Sequence, residues 1–300
     1  MALKQVKNKI ISTQKTGKVT KAMESVSAVK MRKSQQRAFA GRPYVHAALR
    51  ILSRLSDSQD GLNHPLAQAR AEGKQLLVIV TSDKGLAGAV NSSVLKRATQ
   101  AFENNHDTDV VAIGRKALEF AKREGKEVVS EYTNVSDEVT LEDIQAITAT
   151  IMDSYTGGTY SNVAVIYQNF LSTFEQEPVR GEILPLKTEE IVKVMGGINP
   201  KTGKFSDNTS EQDVKITYTV EPSAEEVLNT LIPQLVQIML YHALLESKAS
   251  EHSSRMVAMK NATDKSKEVV KALTLVYNKE RQAAITAEVS EISGGIEAMK

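Results

Sequence analysis

The sequence predicts an α/β domain carried between two long terminal helices that pair with each other as an antiparallel coiled coil. Three observations lead there. Ser223 to Ser293 reads as one helix too long for an ordinary globular domain, and Leu3 to about Ser56 reads as a second, shorter one. Between them the hydrophobic period changes to short apolar runs alternating with helical stretches, the pattern of a mainly parallel sheet.

The C-terminal helix is signalled at both ends. Ser223 and Glu226 make an S-x-x-E capping box just after Pro222, and Gly294 with Gly295 is the expected stop. Only Pro233 interrupts, near the start, where a kink is expected. About 70 residues at ~1.5 Å each would extend roughly 105 Å. Leu228, Leu231, Leu235, Ile238, Leu245, Ala249, Met256, Met259, Val270, Leu273 and Tyr277 recur at steps of three and four, which is a coiled-coil seam. His242, His252, Thr263 and Ser266 fall on the same line and soften it. After Tyr277 the register drifts, and Ala284, Ile285, Val289, Ile292 and Ile296 form a separate apolar stripe. Either this tip frays, or it leaves its helical partner and enters a pocket of another protein.

In the N-terminal helix Leu3, Val6 and Ile10, then Val19, Met23 and Val26, then Val45, Leu49 and Leu52 keep helical spacing. Gly17, Gly41 and Pro43 are expected bends or soft points. Roughly 50 residues would reach about 75 Å, enough to lie along most of the other helix. The middle of the chain must then enter and leave at neighbouring points.

That middle divides readily. Residues 57–74, with Asp57, Asp60, Gly61, His64, Pro65 and Gly73, read as a linker. Strands are expected at Gln75–Val80, Asp109–Ile113, Glu127–Tyr132 and Val163–Tyr167, and helices at Val90–Asn105, Arg115–Glu124 and Leu141–Tyr155, the last stopped by Gly157 and Gly158. Ile183 with Leu184, and Lys215–Val220, suggest further strands, antiparallel at an edge. Met195–Gln212, rich in Gly, Asn, Ser, Thr and Lys, reads as a mobile loop. The expected divisions are therefore 1–56 (helix), 57–74 (linker), 75–222 (α/β domain) and 223–300 (helix).

Composition narrows the function. There is no Cys, which excludes disulfides, thiol catalysis and thiolate metal sites and suits a reducing compartment. No apolar run approaches the ~20 residues of a bilayer span, and no signal-peptide core stands at the start. The net charge of +2 hides an asymmetry. Lys4, Lys7, Lys9, Lys15, Lys18, Lys21, Lys30, Arg32, Lys33, Arg37 and Arg42 are answered within that stretch only by Glu24, so an acidic partner is expected.

Sites of chemistry are scarce. The loop Ser82-Asp83-Lys84-Gly85-Leu86-Ala87-Gly88-Ala89-Val90-Asn91 lies between a strand and a helix, where α/β folds bind phosphates. Its G-x-x-G spacing matches neither G-x-G-x-x-G nor G-x-x-x-x-G-K-[ST], so a structural turn is the stronger reading. His46, His64, His106, His242 and His252 are too scattered for a local metal pair, and no G-x-S-x-G elbow is present. No catalytic residue, cofactor site or metal site is therefore assigned. Two rivals remain: a nucleotide-binding α/β enzyme that uses the loop at Ser82–Asn91, and a nucleic-acid adaptor that uses the basic arm, which lacks stacking aromatics.

Several spaced motifs occur in one order: Lys18-Val19-Thr20-Lys21-Ala22-Met23 with Lys30-Met31-Arg32-Lys33; Ser82-Asp83-Lys84-Gly85-Leu86 through Gly88 and Asn91; Ser254-Arg255-Met256 with Ala258-Met259 and Ala262-Thr263; then Tyr277-Asn278, Arg281-Gln282-Ala283, Ile285-Thr286, Glu288, Glu291 and Gly294. Over nearly the whole chain they resemble the gamma-chain family of F-type ATP synthases. The resemblance implies a central rotor: a shaft of paired terminal helices inside a ring of alternating alpha and beta chains, and a Rossmann-like α/β domain seated on the membrane c-ring beside an epsilon chain. It implies that Lys21, Met23, Lys30, Arg32, Arg255, Arg281, Gln282, Thr286, Glu288 and Glu291 contact beta chains, with no catalytic centre, cofactor or metal in this chain and no nucleic acid as partner. With no transit peptide visible, the expected location is peripheral, on the cytoplasmic face of a bacterial inner membrane, with the mitochondrial inner membrane as the alternative. Gly17 and Gly295 depart from the family pattern, which bears on the stiffness of the first helix and the end of the last.

Overall fold

The computed structural model describes residues 3–41, 43–44, 47–48, 51–52, 64–187, 189 and 223–298. The strand expected at Lys215–Val220 and the loop at Met195–Gln212 lie outside the described residues. The chain divides into two units, residues 28–255 and residues 1–27 with 256–300. Both long helices, α1 (Leu3–Ala40) and α5 (Ala224–Ala298), contribute to both units.

In the larger unit the strands are β1 (Lys74–Val80), β2 (Thr108–Ile113), β3 (Val128–Tyr132), β4 (Tyr160–Phe170) and β5 (Gln176–Leu184). The helices α2 (Val90–Asn104), α3 (Arg115–Arg123) and α4 (Leu141–Thr156) alternate with them. The sheet order is β3-β2-β1-β4-β5. All neighbours are parallel except β4 and β5, which form an antiparallel hairpin at the edge. That is the edge strand which Ile183 and Leu184 suggest. Its neighbour β4 is longer than Val163–Tyr167 because the hairpin continues the ladder as far as the Phe170–Gln176 pair.

The period of two sorts β1 between two cores. Leu76, Val78 and Val80 face one side, with Ile144, Ile147 and Ile151 of α4 and Leu235, Met239, Leu240 and Leu244 of α5. Leu77 and Ile79 face the other, against Val94 and Ala98 of α2 and Phe120 of α3. The α4 start is a true capping box: Thr140 Oγ1 accepts from the Asp143 amide while Asp143 takes the Thr140 amide.

The first part of α5 is therefore no ordinary seam. It is a core helix laid across the sheet, and between Leu244 and Ser253 every residue is buried. One stretch of α5 is long and apolar enough to pass for a membrane span by composition. Half of that stretch is buried within the protein, which accounts for its apolar surface. Pro233 sits inside the helix without ending it, and Ser223 Oγ accepts from the Glu226 amide at its start.

In the smaller unit α1 and α5 run antiparallel. Thr20 Oγ1 lies 2.7 Å from Thr263 Oγ1, and one turn further on Ser266 Oγ donates to the Thr13 carbonyl at 2.7 Å. Val6 and Met259 are the buried apolar residues beside this polar seam. Gly17 is helical here and does not bend the chain out of α1. A Cβ on it would stand 2.8 Å from Ser266 Oγ, so its missing side chain is what admits Ser266. The expected stop at Gly294 and Gly295 also needs correction, because α5 continues through both to Ala298. Neither glycine adopts the positive φ of a helix cap, so the backbone ladder simply continues. At the other end α1 stops at Ala40, with a turn at Gly41; residues 43–44, 47–48 and 51–52 are helical.

Candidate functional site

With no cluster of chemistry to build on, the informative regions are the surfaces that α5 exposes and the contacts that hold its buried part. From residue 281 to residue 296 every residue of α5 is exposed. Ile285, Val289, Ile292 and Ile296 are 51–64% exposed, an apolar stripe covered by nothing among the described residues. Arg281, Gln282, Thr286, Glu288 and Glu291 share these turns, and the Thr286 hydroxyl donates to the Gln282 carbonyl.

The loop after β1 is tied inward. Asn91 Oδ1 accepts from the Ser82 amide, the Ser82 hydroxyl donates to the Lys84 carbonyl, and Asp83 Oδ1 accepts from the Arg115 amide. Gly88 has φ +58 and lies so close to α5 that a Cβ would stand 2.4 Å from Ser254 Oγ. Arg255 completes the contact, donating to the Gly85 carbonyl at 3.3 Å and to Glu251 Oε1 at 2.7 Å. These contacts make the loop a dock for α5, consistent with the turn its spacing suggests.

A third contact region had no signature in the sequence. Residues 135–141 run from β3 to α4 and lie against α5 and α1 together. Gln237 donates to the Leu141 carbonyl, Tyr241 to that of Val139 and Lys248 to that of Val135. Asp137 receives Lys30 of α1 on Oδ2 and His252 of α5 on Oδ1 at 3.1 Å, with Lys248 Nζ 3.8 Å away. Glu138 pairs with Lys33 at 3.1 Å and Arg37 at 3.4 Å. The hydrogen bond from His252, then Lys30 and the nearby positive charge, hold the Asp137 carboxyl well below the usual carboxylate range against the cost of its burial. Lys33 and Arg37 lower Glu138 in the same way. The acidic partner expected for the basic arm is thus partly internal.

The profile of a family described as ATP synthase matches residues 2–299. An ATP synthase gamma chain from Heliobacterium modesticaldum is 36% identical over 297 residues, covering 99% of each chain. The chain belongs to the ATP synthase gamma-chain family. A chain of the Tetrahymena thermophila mitochondrial ATP synthase central stalk and c-ring structure is 27% identical, with a TM-score of 0.58 over 81% of this chain and 99% of that one. A chain of the Euglena gracilis mitochondrial ATP synthase, with a TM-score of 0.65 and 17% identity over 99% of this chain and 94% of that one, supports the fold.

As a gamma chain, this protein is the central-stalk rotor subunit of an enzyme complex associated with a membrane. The residues that sequence motifs single out fall into two groups. Lys21 and Arg32 are exposed and Met23 is half-buried, while Arg281, Gln282, Thr286, Glu288 and Glu291 are all exposed on α5. Lys30 and Arg255, by contrast, have partners inside the larger unit, and Arg255 is only 8% exposed. Asp137 and Glu138 escaped sequence reasoning because an isolated acidic pair in a connector has no period. The only local signal nearby is the T-x-x-D start at Thr140.

Proposed function

We propose that this gamma chain transmits torque without a catalytic centre of its own. It rotates within a ring of alternating alpha and beta chains, seated on the membrane c-ring beside an epsilon chain, and changes the nucleotide affinity of each beta chain in turn. Its functional parts are the helices of 1–56 and 223–300, joined through the linker 57–74 to the α/β region 75–222. The direct contacts to beta chains come from Lys21, Met23, Arg32, Arg281, Gln282, Thr286, Glu288 and Glu291. Lys30 and Arg255 serve the same contact from inside, by fixing the helices that carry the others. The complex works at the cytoplasmic face of a bacterial inner membrane, with this chain peripheral to the bilayer.

The observation that carries this reading is the run of exposed residues 281–296, in which an apolar stripe and a polar cluster share one helix end. A contiguous apolar stripe left facing water marks a surface that a partner covers. The loop at Ser82–Asn91 supports the same reading against a nucleotide site, since Ser82 and Asn91 bond within the loop and the Gly85 carbonyl accepts from Arg255 of α5.

The test is a pull-down from solubilised membranes with this chain as bait, scored for ATPase activity. Recovery of ATP-hydrolysing alpha and beta chains is expected, and Arg281→Ala or Gln282→Ala should impair coupled turnover in the recovered complex without unfolding the chain. Recovery of the chain alone, or with nucleic acid, would overturn the reading.

A further inference from the structure

A rotor must pass torque between its α/β base and its long helices, and among the described residues of the larger unit the Asp137 side chain carries polar bonds to both helices from the base. Asp137 stands on the connector between β3 and α4. Its Oδ2 receives the Lys30 ammonium of α1, its Oδ1 receives the His252 imidazole of α5 at 3.1 Å, and the Lys248 ammonium of α5 stands 3.8 Å away. Glu138, its neighbour, reaches α1 alone, through Lys33 and Arg37. Gln237 and Tyr241 reach this connector from α5 alone, and through backbone carbonyls.

The groups behind Asp137 are fixed in turn. His252 is 3% exposed, and Arg255 Nη1 approaches its Nδ1 at 3.5 Å. The imidazole thus bridges Asp137 on its Nε2 side and Arg255 on its Nδ1 side. Arg255 is anchored by Glu251 and by the Gly85 carbonyl of the loop after β1. Lys248 is held by the Val135 carbonyl at 3.0 Å and lies 4.0 Å from Glu251. A sideways load on α5 therefore meets a chain of directional, charge-assisted bonds in addition to the apolar packing of Leu240, Leu244 and Leu245.

Resting on the rotor reading above, we infer that Asp137 is the positioning residue through which the α/β base grips both long helices under load. It touches no nucleotide and no reacting atom. Its loss should leave unloaded catalysis alone and weaken the transmission of torque.

The experiment uses the assembled ATP synthase with Asp137→Asn, which preserves shape and an acceptor for His252 while removing the charge that faces Lys30 and Lys248. Glu119→Gln, a charge removed from the surface of α3, is the control. Two quantities are read besides assembly: the steady-state proton gradient built by ATP hydrolysis in vesicles, and the angular variance of a nanorod on the membrane ring while the head is paused. Detergent-solubilised ATPase rate and KM for ATP should stay at wild-type values. The angular variance should rise and the gradient should fall, since the charge-assisted bonds to Lys30 and Lys248 are the strong ones that the variant removes. Should the unmatched cations impair assembly, Asp137→Asn with Lys248→Gln removes one of them and is expected to show the same loss under load. An assembled variant with wild-type variance and gradient overturns the assignment. So does failure of both variants to assemble, which would make Asp137 a folding residue. A wild-type complex that hydrolyses ATP without pumping protons overturns the rotor reading itself, and the role of Asp137 with it.

Discussion

Replacing Gly17 by Ala sets two effects of opposite sign against each other. In a helix interior Ala is favoured over Gly by about 1 kcal/mol, so a glycine that merely softened α1 would be improved by the change. The structure opposes this. The new Cβ would stand 2.8 Å from Ser266 Oγ and 3.3 Å from Ser266 Cβ, and that hydroxyl is committed to the Thr13 carbonyl at 2.7 Å. Turning the hydroxyl away loses a hydrogen bond of about 0.5–1.5 kcal/mol. Keeping it forces the helices apart at an overpacking cost of about 1–3 kcal/mol. Setting the helix-propensity gain of about 1 kcal/mol against the overpacking cost leaves a net destabilisation of about 0–2 kcal/mol in the seam. Hydrogen exchange of the amides around Thr20 and Thr263 reads this directly, with about tenfold faster exchange for each 1.4 kcal/mol lost. Adding Ser266→Ala to Gly17→Ala should restore much of the protection by removing the clashing oxygen. Exchange in Gly17→Ala slower than wild type by the full propensity gain of about 1 kcal/mol would refute the close-packing argument and make Gly17 a soft point.

Gly114→Ala should be far more disruptive. At φ +92 its Cβ would lie 2.2 Å from the Thr81 carbonyl oxygen, which is backbone and cannot rotate away, so about 2–5 kcal/mol of thermal stability is expected to be lost. An unchanged melting temperature would contradict the register of β1 and β2 there. Acid should loosen the Asp137 connector in a defined direction. The folded-state pKa of Asp137 is depressed, so its contribution is present above the unfolded value of about 3.9 and is lost progressively as pH falls from there towards the much lower folded value. Limited proteolysis of residues 133–140 should therefore begin to rise only below about pH 4 and go on rising as the pH is lowered further, and Asp137→Asn should flatten that dependence; equal profiles would count against the cluster.

The backbone elements were legible because their signals are local. Gln75–Val80 reads as strand from its apolar run, Leu141–Tyr155 as helix from its spacing, and α5 as one long helix because nothing between Ser223 and Gly294 could cap it. Gly294 and Gly295 misled, because a glycine permits a helix stop but does not impose one where no left-handed turn forms. The family motifs at Ser82–Asn91 and Arg281–Glu291 could be found for a similar reason: each is contiguous. What α5 does along its length was decided only by the tertiary structure. The same run of threes and fours serves as a core helix on the sheet at Leu235–Leu244, as half of a polar seam at Thr263 and Ser266, and as an exposed surface beyond residue 280. Periodicity records that a face is apolar and is silent about what covers it. The charge asymmetry shows the same limit. The sequence by itself determined that the basic arm needs acids, and the fold decided that Asp137 and Glu138, more than a hundred residues away in the chain, answer Lys30, Lys33 and Arg37. Electrostatic pairing acts through space, and only the folded chain sets those distances.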